Sequence, residues 1–389
     1  MAMYSEKTRN MVIYFLWKFL SGVYFVFPIT VIFILGRGLT KEQVTVFLSL
    51  TTLATIFLEI PTGYIADRFS RKLSVGLGYL FNAIGHFLLI FLGSFWQLLL
   101  VGLFFALNRS LISGAMEALI YDNLVDTTDK KSFVRLSSRG ASVSFVSGMV
   151  ATLIGSYMFA VNRELPFIAT AFVNLLLALL IMWFKEAKRT NEVTKNISTF
   201  DGIKEIIKSK SIIYLVLLNV LVSGISSFFY TIAFHPKIVE LGLDVRYLGW
   251  VDAFNSLLLV FVLGFLAKLI TQNERLNLFI YTLVPLLAFV AVELTRSPLM
   301  VIIFGLVFSL FWTSRSHIVS NFQNTLLNAK NRALSLSSIS LLGSIGSAVI
   351  TPVYGLLIIN NDRAAIPLVA FLSIAAMFLI KAIQLPKEG

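Results

Sequence analysis

Six ionisable residues stand inside long apolar stretches of this chain: Lys18, Glu59, Arg109, Glu117, Arg315 and His317. A charge at bilayer depth costs roughly 2.5 kcal/mol or more unless it is paired or hydrated, so each is a candidate for chemistry. Glu59 and Glu117 lie about a turn from the ends of their stretches, where a half-buried carboxyl can load and release a proton near neutral pH. Pro61, two residues after Glu59, offers a different role, a kink whose freed backbone the carboxyl helps to satisfy. Arg109 is midway along its stretch, too deep to snorkel, and is expected in a polar cavity, with a structural ion pair as the alternative. Arg315 and His317, two residues apart, point to different helix faces, so one of them should line that cavity. Lys18 is long enough either to reach the inner surface or to enter the cavity. Asp252 and Glu293, near the ends of theirs, read as interfacial. Trp17, Tyr24, Phe228, Phe229, Tyr230 and Trp312 could stack on a substrate or simply pack.

Other chemistry lacks its residues. With Cys 0 there is no thiolate or disulfide framework, and the three histidines, His86, His235 and His317, are too scattered for a metal site. No G-x-x-x-x-G-K-[ST] run offers a nucleotide site and no His-carboxylate cluster offers an active site, so neither a cofactor nor a metal is expected.

The elements that must hold these groups follow from composition. The 389 residues are 57% hydrophobic and 13% charged, with a mean hydropathy of +0.86, against about 25% charged in soluble domains. The chain is therefore expected to live in a lipid bilayer. Charged or turn-rich breaks divide it into apolar spans near 11–35, 43–64, 73–93, 97–120, 140–160, 166–184, 212–234, 247–267, 278–294, 298–321, 335–359 and 364–380. Runs of this length satisfy their backbone in lipid only as helices, which predicts an all-α membrane protein of twelve transmembrane helices. The first run is too long for a cleavable signal and is read as span 1. Most of the 32 Lys and Arg fall on the side of the two termini, which predicts both termini in the cytoplasm. Basic flanks of this kind also account for the net charge of +12 without nucleic acid.

Six spans, a polar linker and six more give three segments: a bundle over 1–184, a linker over 185–211 and a bundle over 212–389. In the linker, Ile203, Ile206 and Ile207 share a helical face beside Lys204 and Lys208, as in a helix lying on the inner membrane surface; a solvated tether is the alternative. The two halves answer each other at a constant offset. Ser147, Ala151 and Gly155 of span 5 correspond to Ser347, Thr351 and Gly355 of span 11, and Leu136, Ser137, Ser138 to Leu336, Ser337, Ser338. With one more residue of offset, Gly63 to Ala66 matches Gly264 to Ala267. Small-residue ridges let helix backbones approach, so spans 5 and 11 should pack closely on partner helices, with the interface between halves one place for them.

Between spans 2 and 3 the sequence runs Gly63, Tyr64, Ile65, Ala66, Asp67, Arg68, Phe69, Ser70, Arg71, Lys72. This resembles motif A of the major facilitator superfamily, G-x-x-x-D-x-x-G-[RK]-[RK], in the loop where that family carries it, with Ser70 in place of the second glycine. The resemblance implies a fold of two pseudo-symmetric six-helix bundles and a gating latch on the cytoplasmic side. Gly63, Asp67, Arg68, Arg71 and Lys72 would form it, joined by Asp122 near the end of span 4. Asp67 could approach the positive end of span 3 or of a neighbouring helix, and Arg71 another carboxylate. Glu59, Pro61 and Gly63 together with Gly114, Glu117, Tyr121 and Asp122 look like a branch of bacterial drug or small-molecule exporters. The antiporter motif of span 5 is poorly met, since the stretch from Gly148 to Gly155 lacks its Gly-Pro pair.

Taken together, the resemblance implies a monomeric secondary active transporter in a bacterial cytoplasmic membrane. It would export a small amphipathic molecule by alternating access, with the proton as coupling ion. Import or facilitated passage of an anionic metabolite, and flipping of a lipid or amphiphile, are the alternatives. Arg109, supported by Arg315, should favour neutral, zwitterionic or anionic ligands over quaternary cations.

Overall fold

A computed structural model describes residues 2–124, 132–186, 209–266, 274–327, 332–359 and 361–383. Among them there is no strand, and ten helices are long and apolar enough to cross a membrane. The protein is an all-α membrane protein whose helices follow the twelve apolar runs in order. Spans 2, 3, 5 and 6 are the helices Lys41–Arg68, Arg71–Ile90, Ser132–Val161 and Leu165–Met182. Spans 8 to 12 are Leu248–Leu266, Glu274–Leu294, Pro298–Leu326, Arg332–Ile358 and Ala365–Ala382. The surface helix expected over 201–210 lies almost wholly outside the described residues.

Helix starts are marked by side chains that satisfy the first backbone N–H groups. Ser70, Ser94 and Ser209 accept from the amides of Leu73, Gln97 and Ile212 at 3.1, 3.3 and 3.4 Å. Large apolar side chains such as Phe57, Ile60, Trp96, Phe261 and Phe371 are exposed, the outward face a lipid-embedded helix requires.

The remaining three spans are discontinuous. Span 1 consists of Ala2–Gly22 and Thr30–Gly36, separated by a turn that contains Pro28. Span 4 consists of Phe95–Ile112 and Ala115–Leu124. Its break is made by Gly114, whose φ of 71° lies in the left-handed region open to glycine at little cost. Span 7 runs as Lys210–Phe228, widens into a π-helical turn over Phe229–Ala233 and ends as His235–Glu240. By contrast Pro61, Pro285 and Pro352 lie inside uninterrupted helices.

The chain forms two compact units. The first is Met1–Leu39, Leu50–Glu192 and Asp244–Ala253; the second is Thr40–Ser49, Val193–Leu243 and Phe254–Gly389. In the first, Tyr14, Val75, Leu119 and Ile181 form the heart of an apolar core. The ridge of span 5 packs on span 1: a Cβ added to Gly22 would overlap Ser147, and one added to Gly155 would overlap the Phe25 carbonyl. Ser144 Oγ also donates to the Lys18 carbonyl at 2.6 Å. In the second unit Ser347 of the span 11 ridge lies 3.2 Å from the Ser227 hydroxyl of span 7, and a Cβ on Gly355 would crowd the Thr45 side chain of span 2. Beside the ridge, a Cβ on Gly346 would overlap Val220 of span 7. The ridge of span 5 thus finds its close partner in span 1, and that of span 11 in spans 7 and 2.

Candidate functional site

The loop between spans 2 and 3 is built around a carboxylate that sequence reading missed. Ser70, in extended backbone at φ −165° and ψ 127°, caps span 3. Glu186, just after span 6, accepts from Ser70 Oγ at 2.6 Å and from the Arg71 and Lys72 amides at 3.0 and 3.4 Å. An acid at a helix N-terminus is favoured by the helix dipole and the open N–H groups. Glu186 therefore occupies the start of span 3; the side chain of Asp67 is outside the described residues. Arg71 pairs with Asp122 of span 4, and Arg68 donates to Tyr64 one turn before it while its guanidinium lies 5.7 Å from that ring. Lys72 contributes its amide to Glu186, and Gly63 has open space around it.

The ionisable groups of the first unit cluster along the broken span 4. Arg109, Ser113, Glu117 and Tyr121 recur every four residues and are all exposed. The Arg109 side chain makes no hydrogen bond or ion pair among the described residues, while its backbone carbonyl accepts from the Ser113 amide at 2.9 Å. Lys18 of span 1 is half-buried with its ammonium 4.6 Å from the Trp17 ring. No carboxylate among the described residues pairs with Arg109. Nor are Glu59 and Glu117 half-buried as expected; both are exposed, because each lies on a helix face turned away from its own unit. Trp17 is 8% exposed with its indole donating to Tyr79 at 2.6 Å, so it belongs to the interior rather than to a lining.

Behind Tyr24 lies a chain of neutral polar groups. His86, 1% exposed, must donate from Nδ1 to the Asn82 carbonyl at 2.8 Å, since a carbonyl only accepts. In the neutral ring Nε2 is then an acceptor, and Tyr24 donates to it at 3.1 Å. Asn82 donates in turn to Asn174 of span 6 at 2.8 Å. The turn that breaks span 1 is thus fastened to spans 3 and 6 through hydrogen bonds satisfied at each step.

In the second unit Arg315 is 4% exposed and its partners are neutral. Nε donates to Thr282 at 3.0 Å, Nη2 to Asn219 at 2.9 Å, and the guanidinium carbon lies 5.1 Å from the Trp312 ring. His317, on another face, is exposed, in keeping with the two-residue spacing. Phe229 is fully buried, stacked on Phe308 at 3.8 Å, and Phe308 on Trp312 at 5.8 Å. Phe229 is therefore core, while Tyr230 and Trp312 are partly exposed beside it. The expected interfacial groups differ as well: Asp252 and Glu293 are only 8% and 5% exposed. For Glu293 the reason is Lys237, brought alongside by the final segment of span 7.

Chemically, each unit presents a mid-span arginine that no carboxylate among the described residues neutralises, set close to a discontinuous helix. Broken helices at membrane depth are tolerated where protein or a polar cavity satisfies the freed backbone, and they are where transported solutes and ions are commonly held.

Comparison with known proteins agrees with this architecture. The family model described as Major Facilitator Superfamily matches residues 11–351. The MFS-type transporter YxaM of Bacillus subtilis (strain 168), itself uncharacterized, is 24% identical over 262 residues, 64% of each chain. The class B tetracycline resistance protein of Escherichia coli is 29% identical over 151 residues, 38% of this chain and 36% of that protein. The matched stretches thus fall short of two thirds of either relative. Among solved structures, a bacterial homologue of the human lysosomal transporter Spinster superposes with a TM-score of 0.75 at 16% identity, covering 98% and 97% of the two chains. The nucleoside transporter NupG gives 0.76 at 11% identity, covering 97% and 100%.

Proposed function

The chain belongs to the Major Facilitator Superfamily and is a transporter rather than an enzyme; on that premise we propose that it is a secondary active exporter of a small amphipathic molecule, driven by proton entry. The observation that carries the substrate side of this reading is Arg315, a buried guanidinium whose partners Asn219 and Thr282 bring no compensating charge. A buried cation without a carboxylate is held at a cost, which a ligand bearing negative charge would offset. Arg109, exposed and unpaired in the first unit, adds to the same preference. Neutral, zwitterionic and anionic amphiphiles are favoured over quaternary cations. Export rather than import is supported by the likeness to a tetracycline resistance protein and by the stretch from Glu59 to Asp122.

In this reading the chain works by alternating access as a monomer of two six-helix bundles, 1–184 and 212–389, joined by the linker 185–211. It lies in a bacterial cytoplasmic membrane with both termini inside, following the basic bias of the loops. Gly63, Asp67, Arg68, Arg71, Lys72 and Asp122 form the cytoplasmic latch. Glu117 and Glu59 are proton carriers, and Tyr24, Tyr230, Trp312, His317 and Lys18 contact substrate beside the arginines.

Purified protein in vesicles, with an imposed pH gradient, tests both halves of the proposal. Tetracycline and a matched series of amphiphiles differing only in charge serve as probes. Gradient-driven accumulation of the anionic or zwitterionic members, abolished by a protonophore and weakened in Arg109→Gln, is the expected result. Accumulation that ignores the gradient would reject proton coupling. Preference for the cationic member, unaltered in Arg109→Gln, would reject the anion-leaning site. An anionic metabolite importer, the second reading, is favoured by the same arginine and predicts accumulation in the opposite direction.

A further inference from the structure

At the end of the second unit distant from Lys210, a buried ion pair adjoins a cavity. Lys237, on the last segment of span 7, and Glu293, at the end of span 9, have side chains only 9% and 6% exposed. The ammonium lies 3.5 Å from Glu293 Oε2 and also donates to the backbone carbonyl of Glu293. Beside them is a cavity of about 150 Å³, with Lys41, Glu240, Arg296 and Phe228 in its wall, all in the second unit. Such a space holds several water molecules, and its polar wall supplies partners for them.

The pair is poorly explained as a staple. Desolvating two charges is seldom repaid by their attraction, and apolar residues of similar volume usually pack as well. A buried carboxylate that borders a hydratable cavity, by contrast, is placed to exchange a proton. We propose that this cavity is a proton-binding site and that Glu293 is the group that takes the proton. The step is a simple transfer: hydronium in the cavity gives its proton to the carboxylate, leaving neutral carboxylic acid and water, while Lys237 stays an ammonium. The backbone carbonyl of Glu293 keeps hold of that ammonium when the side chain loses its charge, so the site can discharge and recharge without losing its geometry. The other charged and titratable groups around it are Glu240 and the buried His235 from span 7, Lys41 paired with Glu240 at 2.8 Å, Arg296 in the turn after span 9 and the exposed Arg363. Spans 10 and 12, which pack on span 9, have no charged residue in their first three turns. The proposal rests on the proton-driven reading, since protons that drive export enter from the side away from the linker, where this cavity lies.

Infrared difference spectroscopy between neutral and acidic buffer tests the site without a substrate. The samples are wild type, Glu293→Gln, Lys237→Met and Glu240→Gln in vesicles of phosphatidylethanolamine and phosphatidylglycerol. Expected is a carbonyl band of protonated carboxyl in wild type and Glu240→Gln, lost in Glu293→Gln, with its pH midpoint moved in Lys237→Met. Identical spectra for wild type and Glu293→Gln would overturn the assignment, as would a midpoint indifferent to Lys237. If Glu293→Gln does not fold, the Lys237→Met midpoint decides. In the same vesicles, wild type that ignores an imposed pH gradient with tetracycline as probe would sink the exporter reading, while the band still judges the site.

Discussion

Ser70 Oγ donates to Glu186 Oε2 at 2.6 Å, across 116 residues of chain. The motif resembled here has glycine where Ser70 stands, and in this chain that residue does two jobs that a glycine side chain could not. It caps span 3 and anchors the carboxylate that covers the adjoining amides. Ser70→Ala should therefore destabilise the protein by about 1 kcal/mol, and Ser70→Gly by less, as at other N-caps. Thermal unfolding in detergent of both variants and of Glu186→Gln gives the order; equal midpoints for Ala and Gly would contradict the capping role.

Arg71 and Asp122 are paired, with side chains 19% and 44% exposed, so their mutual stabilisation should be small, under about 1 kcal/mol. As a latch their effect should fall on transport instead. Arg71→Ala and Asp122→Ala are each expected to fold and insert but to transport poorly, and the charge-swapped double variant to recover part of the loss. A swap that performs no better than the worse single variant would show that the pair does not act as a unit.

Arg315 sets stability against function. Arg315→Met removes a desolvated charge, so its unfolding midpoint should equal or exceed that of wild type even though Asn219 and Thr282 each lose a donor. Binding of anionic amphiphiles should meanwhile fall at least tenfold. Arg315→Lys keeps the charge but not the planar fork that reaches two neighbours at once, and should bind weakly as well. Calorimetry and equilibrium binding on the same preparations separate the two effects.

Gly155 and Gly63 make a matched pair. An added methyl at Gly155 would run into the Phe25 carbonyl, which is backbone and cannot turn aside, whereas nothing lies within 4 Å at Gly63. Gly155→Ala should cost about 1 to 3 kcal/mol and Gly63→Ala next to nothing. Comparable losses in both would mean that the ridge of span 5 does not bring the helices into such close approach.

Tyr24→Phe leaves the His86 ring nitrogen buried without its donor, a cost of about 1 to 3 kcal/mol. His86→Gln, whose amide can both donate and accept, should lose less than His86→Leu, which leaves Tyr24 and the Asn82 carbonyl unmet. The three unfolding midpoints rank the interaction, and a reversed order would rule out the relay through His86.

Much of the architecture is legible from the chain alone because lipid forces an apolar run of some twenty residues into one conformation. The span limits therefore fall close to those of the helices. The breaks were not legible. Pro61, Pro285 and Pro352 lie inside uninterrupted helices, while span 4 breaks with no proline in it and span 7 widens at aromatic residues. Whether a helix yields at a given residue depends on which neighbours can satisfy the freed groups, and those are set by tertiary packing. The same limit applies to Glu186 and Lys237, whose partners are distant in sequence. A cue did exist in Asn82, Asn174 and Asn219, neutral polar residues inside apolar runs, which had to find hydrogen bonds somewhere.

Gly114 carries an implication for how this protein can change over generations. Its surroundings are empty, so by crowding alone any codon would be acceptable there. Its torsion angle says otherwise, because an L-residue held in the left-handed region is penalised by about 1 to 2 kcal/mol. In a saturation library the position should behave like a tightly packed interior residue although it faces open space, with asparagine and aspartate the least harmful replacements. Drift at the hinge of span 4 is thereby restrained by geometry of the main chain, independently of whichever cargo the neighbouring side chains come to select.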